Sequence, residues 1–194
     1  MSTYGERTAL IVVDVQNDFA DPSGSLYVRG AEEIVPLIGA EMAKALASGS
    51  IAVYTQDWHP AHTPHFRNDG GVWPVHCVVD TWGAAFHPQL SVAGPVVRKG
   101  ADGSDGYSGF SVRDPLSGDT SATGLDDLLK GKEVERLVVC GLATDYCVVE
   151  TVLDARMLGY PVEVLAASIR AVNLSPDDGD LAIAHMRDAG AELT

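Results

Sequence analysis

Positive charge is scarce in this chain: 13 Lys and Arg stand against 27 Asp and Glu, a formal net charge of −14. A nucleic-acid backbone is held mainly by clustered Lys and Arg, so no nucleic-acid partner is expected. The acidic balance otherwise reports solubility. Cysteine is scarcer still. Cys77, Cys140 and Cys147 form an odd, widely spaced set that does not read as a disulfide framework, so each is judged by its surroundings. Long apolar runs are missing too: no segment reaches the roughly 18 consecutive apolar residues of a membrane helix, and no membrane partner is expected. The opening MSTYGERTAL lacks a basic stretch followed by an apolar core, so no secretory signal and a cytoplasmic location are expected. Repeats, low-complexity tracts and linkers are also absent, which predicts one domain over residues 1–194.

What the chain does hold is apolar and regularly spaced. Hydrophobic residues make up 46% and charged residues 21%, the proportions of a soluble protein able to bury a substantial core. Short apolar runs rich in β-branched residues occur at 9–13, 51–54, 95–97, 137–140 and 162–166. Being apolar on consecutive positions, they predict strands covered on both faces. Helices are predicted over about 31–48, 124–131, 145–159 and 177–189. In the first of these, Ile34, Leu37, Ile38, Met42 and Leu46 fall near helical spacing, and Ser48-Gly49 ends it. Such alternation predicts an α/β protein with a parallel, doubly wound sheet. Residues 57–94 follow neither period and are rich in His, Pro, Gly and Trp, as functional insertions often are.

In open parallel sheets, ligands bind beyond the carboxyl ends of the strands. The residues that follow the apolar runs are Asp14, Asp57, the Arg98-Lys99 pair and the segment from Gly141 to Cys147. Distant parts of the chain are thereby expected to place two carboxylates, a lysine and a thiol on one sheet edge.

Cys147 opens a helical pattern in Val148, Val149, Val152 and Leu153, with Asp145 placed to cap it. A thiol in a first helical turn feels the positive end of the helix dipole, which favours thiolate, and N–H groups there can hold a developing oxyanion. The position equally suits a small buried apolar residue, as most free cysteines are. Cys140 lies inside a strand run and reads as core, while Cys77, beside His76, is undecided. Asp14 follows four apolar residues and needs a partner. Facing the thiol, it is a proton acceptor; otherwise it braces the next loop, as Asn17 and Asp18 also can. Lys99 can lower the thiol's pKa and keep Asp14 charged, or it can simply snorkel to solvent. The glycine-rich segment 100–109 lacks the ending and flanking elements of a phosphate loop.

Four of the six histidines fall between 59 and 76. Asp57 and His59, two apart in extended geometry, point the same way, and His65 or His62 with His76 can complete a site. Mixed oxygen and imidazole donors suit one divalent Zn, Fe or Mn ion. No zinc-finger spacing is present, and a polar loop with scattered histidines is the alternative. His87 and His185 read as structural or exposed.

Taken together, the blocks Val13-Asp-Val-Gln-Asn-Asp-Phe19, Thr55-Gln-Asp-Trp-His-Pro60, Trp73-Pro-Val-His-Cys77 and Gly141-Leu-Ala-Thr-Asp-Tyr-Cys147 resemble, in this order, the isochorismatase-like hydrolase superfamily. Within it they resemble the nicotinamidase/pyrazinamidase family over about residues 8–190. The resemblance implies a three-layer α/β/α sandwich around a mainly parallel six-stranded sheet. It also implies Asp14, Lys99 and Cys147 as a catalytic triad, and Asp57, His59 and His76 as metal ligands. His65 is included where some members have a fourth ligand and others a serine. Phe19, Trp73 and Tyr107 match aromatic positions around the substrate ring, Ala143 and Cys147 supply oxyanion-hole N–H groups, and the Leu142–Ala143 bond is expected to be cis. The implied reaction is hydrolysis of a small aromatic amide, nicotinamide or pyrazinamide, through a thioester. A sibling amidohydrolase acting on a carbamoyl or ureido substrate is the alternative. A non-catalytic metal-binding or interaction module on the same fold is another, against which the intact triad stands. A homo-oligomer is left open.

Overall fold

The computed structural model describes residues 4–194; residues 1–3, at the start of the MSTYGERTAL segment, lie outside it. Five of the strands fall on the apolar runs: β1 (Thr8–Val13), β2 (Ile51–Asp57), β3 (Val96–Lys99), β6 (Arg136–Leu142) and β7 (Val162–Arg170). Between and after them come α1 (Asn17–Ala20), α2 (Ala31–Ala47), α3 (Leu125–Gly131), α4 (Val149–Met157) and α5 (Asp178–Asp188). Three short strands, β4 (Ser111–Arg113), β5 (Thr120–Ala122) and β8 (Glu192–Leu193), carry no run long enough to be read from sequence.

One sheet has the order β3-β2-β1-β6-β7-β8, and every pairing in it is parallel. Antiparallel β4 and β5 form a separate ribbon. Because side chains alternate across a strand, the central strand feeds two cores. Ala9, Ile11 and Val13 pack with residues of α3, α4 and α5 on one face. Leu10 and Val12 pack against Ile34, Val35, Ile38 and Met42 of α2 on the other. All five of these β1 side chains are fully buried, and a buried Ile or Leu contributes about 1.5–3 kcal/mol. The expected three-layer sandwich is therefore present. At the β3 edge, burial alternates instead of covering both faces: Val97 and Lys99 point inward while Val96 and Arg98 are exposed.

The chain lays β2 and β3 to one side of β1, then returns to place β6 on the other. The strand order thus reverses at β1 and β6, and a ligand crevice is expected beyond their carboxyl ends. Gly141 makes this junction possible. It has φ 117° beside an irregularity in the β6–β7 register, and a Cβ there would lie 2.1 Å from the Val13 carbonyl oxygen. Only glycine fits so close an approach. The chain then passes through a cis Leu142–Ala143 bond, as expected, into a π-helical turn, Thr144–Val148, that leads into α4. Among the described residues, no helix is long and apolar enough to cross a membrane.

Candidate active site

Three adjacent strand ends supply the charged groups. Asp57 and Lys99 are register partners at the ends of β2 and β3, and Asp14 follows β1 with φ 48°, a conformation uncommon outside glycine. Gln16 fixes Asp57 by exchanging two hydrogen bonds with its backbone, each 2.8 Å. Lys99, only 1% exposed, does not snorkel. Its Nζ lies 2.7 Å from Asp14 Oδ2 and 2.5 Å from Asp57 Oδ1, donates to the Gly106 carbonyl, and approaches Cys147 Sγ at 3.6 Å. The carboxylates of Asp14 and Asp57 and the Cys147 sulfur lie within 4.8 Å of one another. Thr55 Oγ1 donates to Asp14 Oδ1 at 2.7 Å. Asp14 Oδ2 is ion-paired with the Lys99 ammonium and, among the described residues, accepts no other hydrogen bond.

One ammonium cannot neutralise two buried carboxylates, and the titration behaviour follows. Burial works against every charge here. The Lys99 ammonium is nevertheless held well above the usual lysine range by Asp14 and Asp57. Asp57 is held well below the carboxylate range by Lys99, His59 and His76. Asp14 is pushed up by burial and by Asp57, in spite of Lys99 and Thr55. Burial and the two carboxylates also push the Cys147 thiol well up, against the pull of Lys99. The sequence argument favoured a thiolate; in the fold, burial and the two carboxylates work against it, and Asp14 beside the thiol is itself pushed up. The expected Asp145 cap is also absent. Asp145 instead accepts from the backbone N–H groups of Val172 and Asn173 at 2.9 and 2.8 Å.

Next to this group, His59, His65 and His76 present buried ligand atoms within 4.8 Å of one another. Asp57 Oδ2 faces them, 3.7 Å from His59 Nε2 and 3.8 Å from His76 Nε2. His76 Nδ1 sits 2.8 Å from the Pro74 carbonyl and His65 Nδ1 2.6 Å from Asp105, so each keeps its Nε2 available. Both nitrogens of His59 are buried without a hydrogen-bond partner among the described residues. Burial pushes the His65 imidazole below its usual range, although Asp105 opposes this. Buried polar atoms are nearly always satisfied. Three imidazoles converging beside a carboxylate, one of them without a hydrogen bond, therefore fit a divalent cation. His62 takes no part: its side chain is 86% exposed and pairs with Asp69. Cys77 is structural, a buried residue whose N–H donates to Asp18. Cys140 is core, His87 is buried and His185 is exposed.

A pocket opens over both groups, lined by Phe19, Asp57, His65, Trp73, His76, Tyr107, Ala143 and Cys147, with Leu26, Val28, Tyr146 and Val172 as further apolar wall. Trp73 Nε1 donates to Tyr107 Oη at 2.8 Å, and Tyr146 meets Trp73 edge-on with centroids 4.9 Å apart. Of the residues proposed from sequence, Phe19, Asp57, His65, Trp73, His76, Tyr107 and Cys147 line this pocket, while Asp14 and Lys99 lie behind Asp57 and His59 stacks on His65 without lining it. Sequence reasoning missed Tyr146, Thr55, Gln16 and Asp105. Thr55 alone had a usable signal, lying two residues before Asp57 and so on the same strand face.

The isochorismatase domain family matches residues 8–194. The nicotinamidase of Escherichia coli K12 is 38% identical over 203 residues, covering 95% of this chain and 93% of that protein. A structure of PnC1 from L. infantum in complex with nicotinate superposes with a TM-score of 0.88 at 36% identity, covering 97% of this chain and 92% of that one. The pyrazinamidase of Pyrococcus horikoshii in complex with zinc gives 0.85 at 35% identity, covering 97% and 98%.

Proposed function

The chain belongs to the isochorismatase family and, within it, to the nicotinamidases, and on that footing we propose that it hydrolyses nicotinamide to nicotinate and ammonia through a thioester on Cys147. The observation that carries this reading is the buried cluster in which Cys147 Sγ stands 3.6 Å from Lys99 Nζ beside Asp14, in the same pocket as three convergent imidazoles.

Asp14, Lys99 and Cys147 are the catalytic triad. Phe19, Trp73 and Tyr107 confine an aromatic ring, with Tyr146 bracing Trp73. Cys147 Sγ attacks the carboxamide carbon as its proton passes to Asp14, whose raised basicity suits it to that task. The carbonyl oxygen takes up the negative charge, held by the N–H groups of Ala143 and Cys147. The C–N bond breaks as Asp14 returns the proton to nitrogen, and ammonia leaves. Water then loses a proton to Asp14 and attacks the thioester carbon. Breaking the C–S bond releases nicotinate and restores the thiol. Lys99 holds Asp14 and Asp57 in place throughout and stays charged.

Asp57, His59, His65 and His76 would hold one divalent ion, zinc, iron or manganese, which when bound supplies a Lewis acid for the pyridine nitrogen. Pyrazinamide, with a ring nitrogen in the same relation to its carboxamide, is a second substrate. The reaction would serve salvage of nicotinamide for NAD synthesis. Three unpaired, buried cysteines suit the reducing cytoplasm. Incubation with nicotinamide, with nicotinate and ammonia measured together, tests the reading; equimolar release of both is expected, and release of neither would overturn it.

A further inference from the structure

The glycine-rich segment 100–109 carries one buried carboxylate that the reaction does not use. Asp105 is 6% exposed, and each of its oxygens has a single side-chain partner. Oδ1 lies 2.6 Å from His65 Nδ1, and Oδ2 accepts from the Arg113 guanidinium at 3.0 Å. Its backbone is fixed to the same arginine, with Asp105 N–H donating to Arg113 O at 2.7 Å and Arg113 N–H donating to Asp105 O at 3.0 Å. The side chain is therefore aimed at His65 from a backbone pinned on both sides. Arg113, more than half exposed, adds a weak pair at most, so it does not explain why a carboxylate is buried at this point.

His65 is the other partner, and its chemistry gives the reason. An ionised carboxylate only accepts hydrogen bonds, so at 2.6 Å the Nδ1 of His65 must be the donor. The neutral ring then has its lone pair on Nε2. His65 stacks on His59 with centroids 4.8 Å apart and lies 5.4 Å from His76. Of the three imidazoles, His76 leans on a neutral carbonyl and His59 has no hydrogen-bond partner among the described residues. Among the described residues, His65 alone of the three has its Nδ1 hydrogen-bonded to a carboxylate.

We propose that Asp105 is a positioning residue for the divalent-cation centre, holding His65 in the Nδ1-protonated form so that its Nε2 serves as a fourth protein ligand beside Asp57, His59 and His76. A carboxylate behind a ligating imidazole fixes its tautomer and raises its basicity, and loss of such a partner typically costs about 10–100-fold in metal affinity. The same segment continues into Gly106, whose carbonyl accepts from Lys99, and Tyr107, which accepts from Trp73. Asp105 thus anchors the stretch that touches the triad and the aromatic wall as well as the cation centre.

This inference rests on the metal centre read above. The test measures Zn(II) affinity by chelator competition, and the visible spectrum of the Co(II)-loaded protein, for wild type, Asp105→Ala, Asp105→Asn, His65→Ala and the double variant Asp105→Ala/His65→Ala. Asp105→Ala is expected to weaken Zn(II) binding about 10–100-fold. Asp105→Asn, which retains a carbonyl acceptor for Nδ1–H, is expected to recover most of that loss. In the His65→Ala background, Asp105→Ala should change affinity less than about twofold, because its effect passes through His65. The cobalt spectrum of Asp105→Ala should move toward that of His65→Ala. An equal loss with and without His65, or no loss in either, overturns the proposal while leaving the metal centre standing. A wild-type protein that binds neither ion overturns both. Long-range proton–nitrogen NMR of the zinc-loaded wild type needs no variant: the His65 proton is expected on Nδ1, and finding it on Nε2 contradicts the assignment.

Discussion

Lys99 Nζ lies 2.5 Å from Asp57 Oδ1, and the other oxygen of that carboxylate faces His59 and His76. One ion pair therefore joins the thiol group to the imidazole cluster. Asp57 is shared: one oxygen helps to neutralise the lysine that touches Cys147, and the other is available to a cation. The two halves of the site are coupled through a single buried carboxylate.

Removing the shared cation should be costly to the fold. Lys99→Met leaves Asp14 and Asp57 buried without their common partner, and breaking such a pair from one side destabilises by about 3–5 kcal/mol. Urea unfolding should show this loss. Lys44→Met, at an exposed helical pair, should shift stability by less than about 0.5 kcal/mol. Similar small shifts in both variants would contradict the electrostatic reading.

The acid limb of the pH–rate profile should report Asp14. As the proposed base, it works only when ionised, and burial raises its pKa, so it protonates at a higher pH than an ordinary carboxylate. Activity in kcat/KM is therefore expected to fall, as pH decreases, at a midpoint above the free aspartate value of about 3.9. A midpoint at or below that value would show that Asp14 is not the group titrating. Asp14→Asn should remove nearly all activity at every pH.

Trp73 and Tyr107 line the pocket and are joined by a hydrogen bond. Trp73→Ala should raise KM about tenfold or more, because it removes a wall and leaves the Tyr107 hydroxyl without its donor. Tyr107→Phe, which keeps the ring, should change KM by only a few-fold. A fall in kcat at unchanged KM in Trp73→Ala would place this residue in the chemical step instead.

Chelation separates the proposed reaction from that of a carbamoyl or ureido amidohydrolase with the same triad. Removing the cation should cut nicotinamide hydrolysis by at least about tenfold, and adding back Zn, Fe or Mn should restore it. Full activity at undetectable metal content would assign the histidine cluster a structural role.

The parts of this site legible in sequence were those fixed by strand periodicity. Asp14, Asp57 and Lys99 each follow or end an apolar run, and parallel strands bring such ends together wherever they lie in the chain. The helices from 31, 124 and 177 emerged within a few residues. The strands β4, β5 and β8 did not, because two or three residues carry no pattern. The helix-end position of Cys147 favours a thiolate, whereas the burial and neighbouring carboxylates that push the thiol up exist only in the folded chain. Asp145 looked like a cap because of its spacing, but the π-helical turn moves it outward to hold the Val172 loop. Asp105 sits among glycines, where no period marks it, and its partner His65 is 40 residues away.

The central claim is that Cys147 is the nucleophile of an amidase acting on nicotinamide. The most direct measurement is ammonia release from nicotinamide by wild type and by Cys147→Ala, with fold and metal content checked on the same samples. The wild type should release ammonia and nicotinate in equal amounts. The variant should retain its fold and its metal while losing activity by about a thousandfold or more. An undiminished rate in Cys147→Ala would contradict the account.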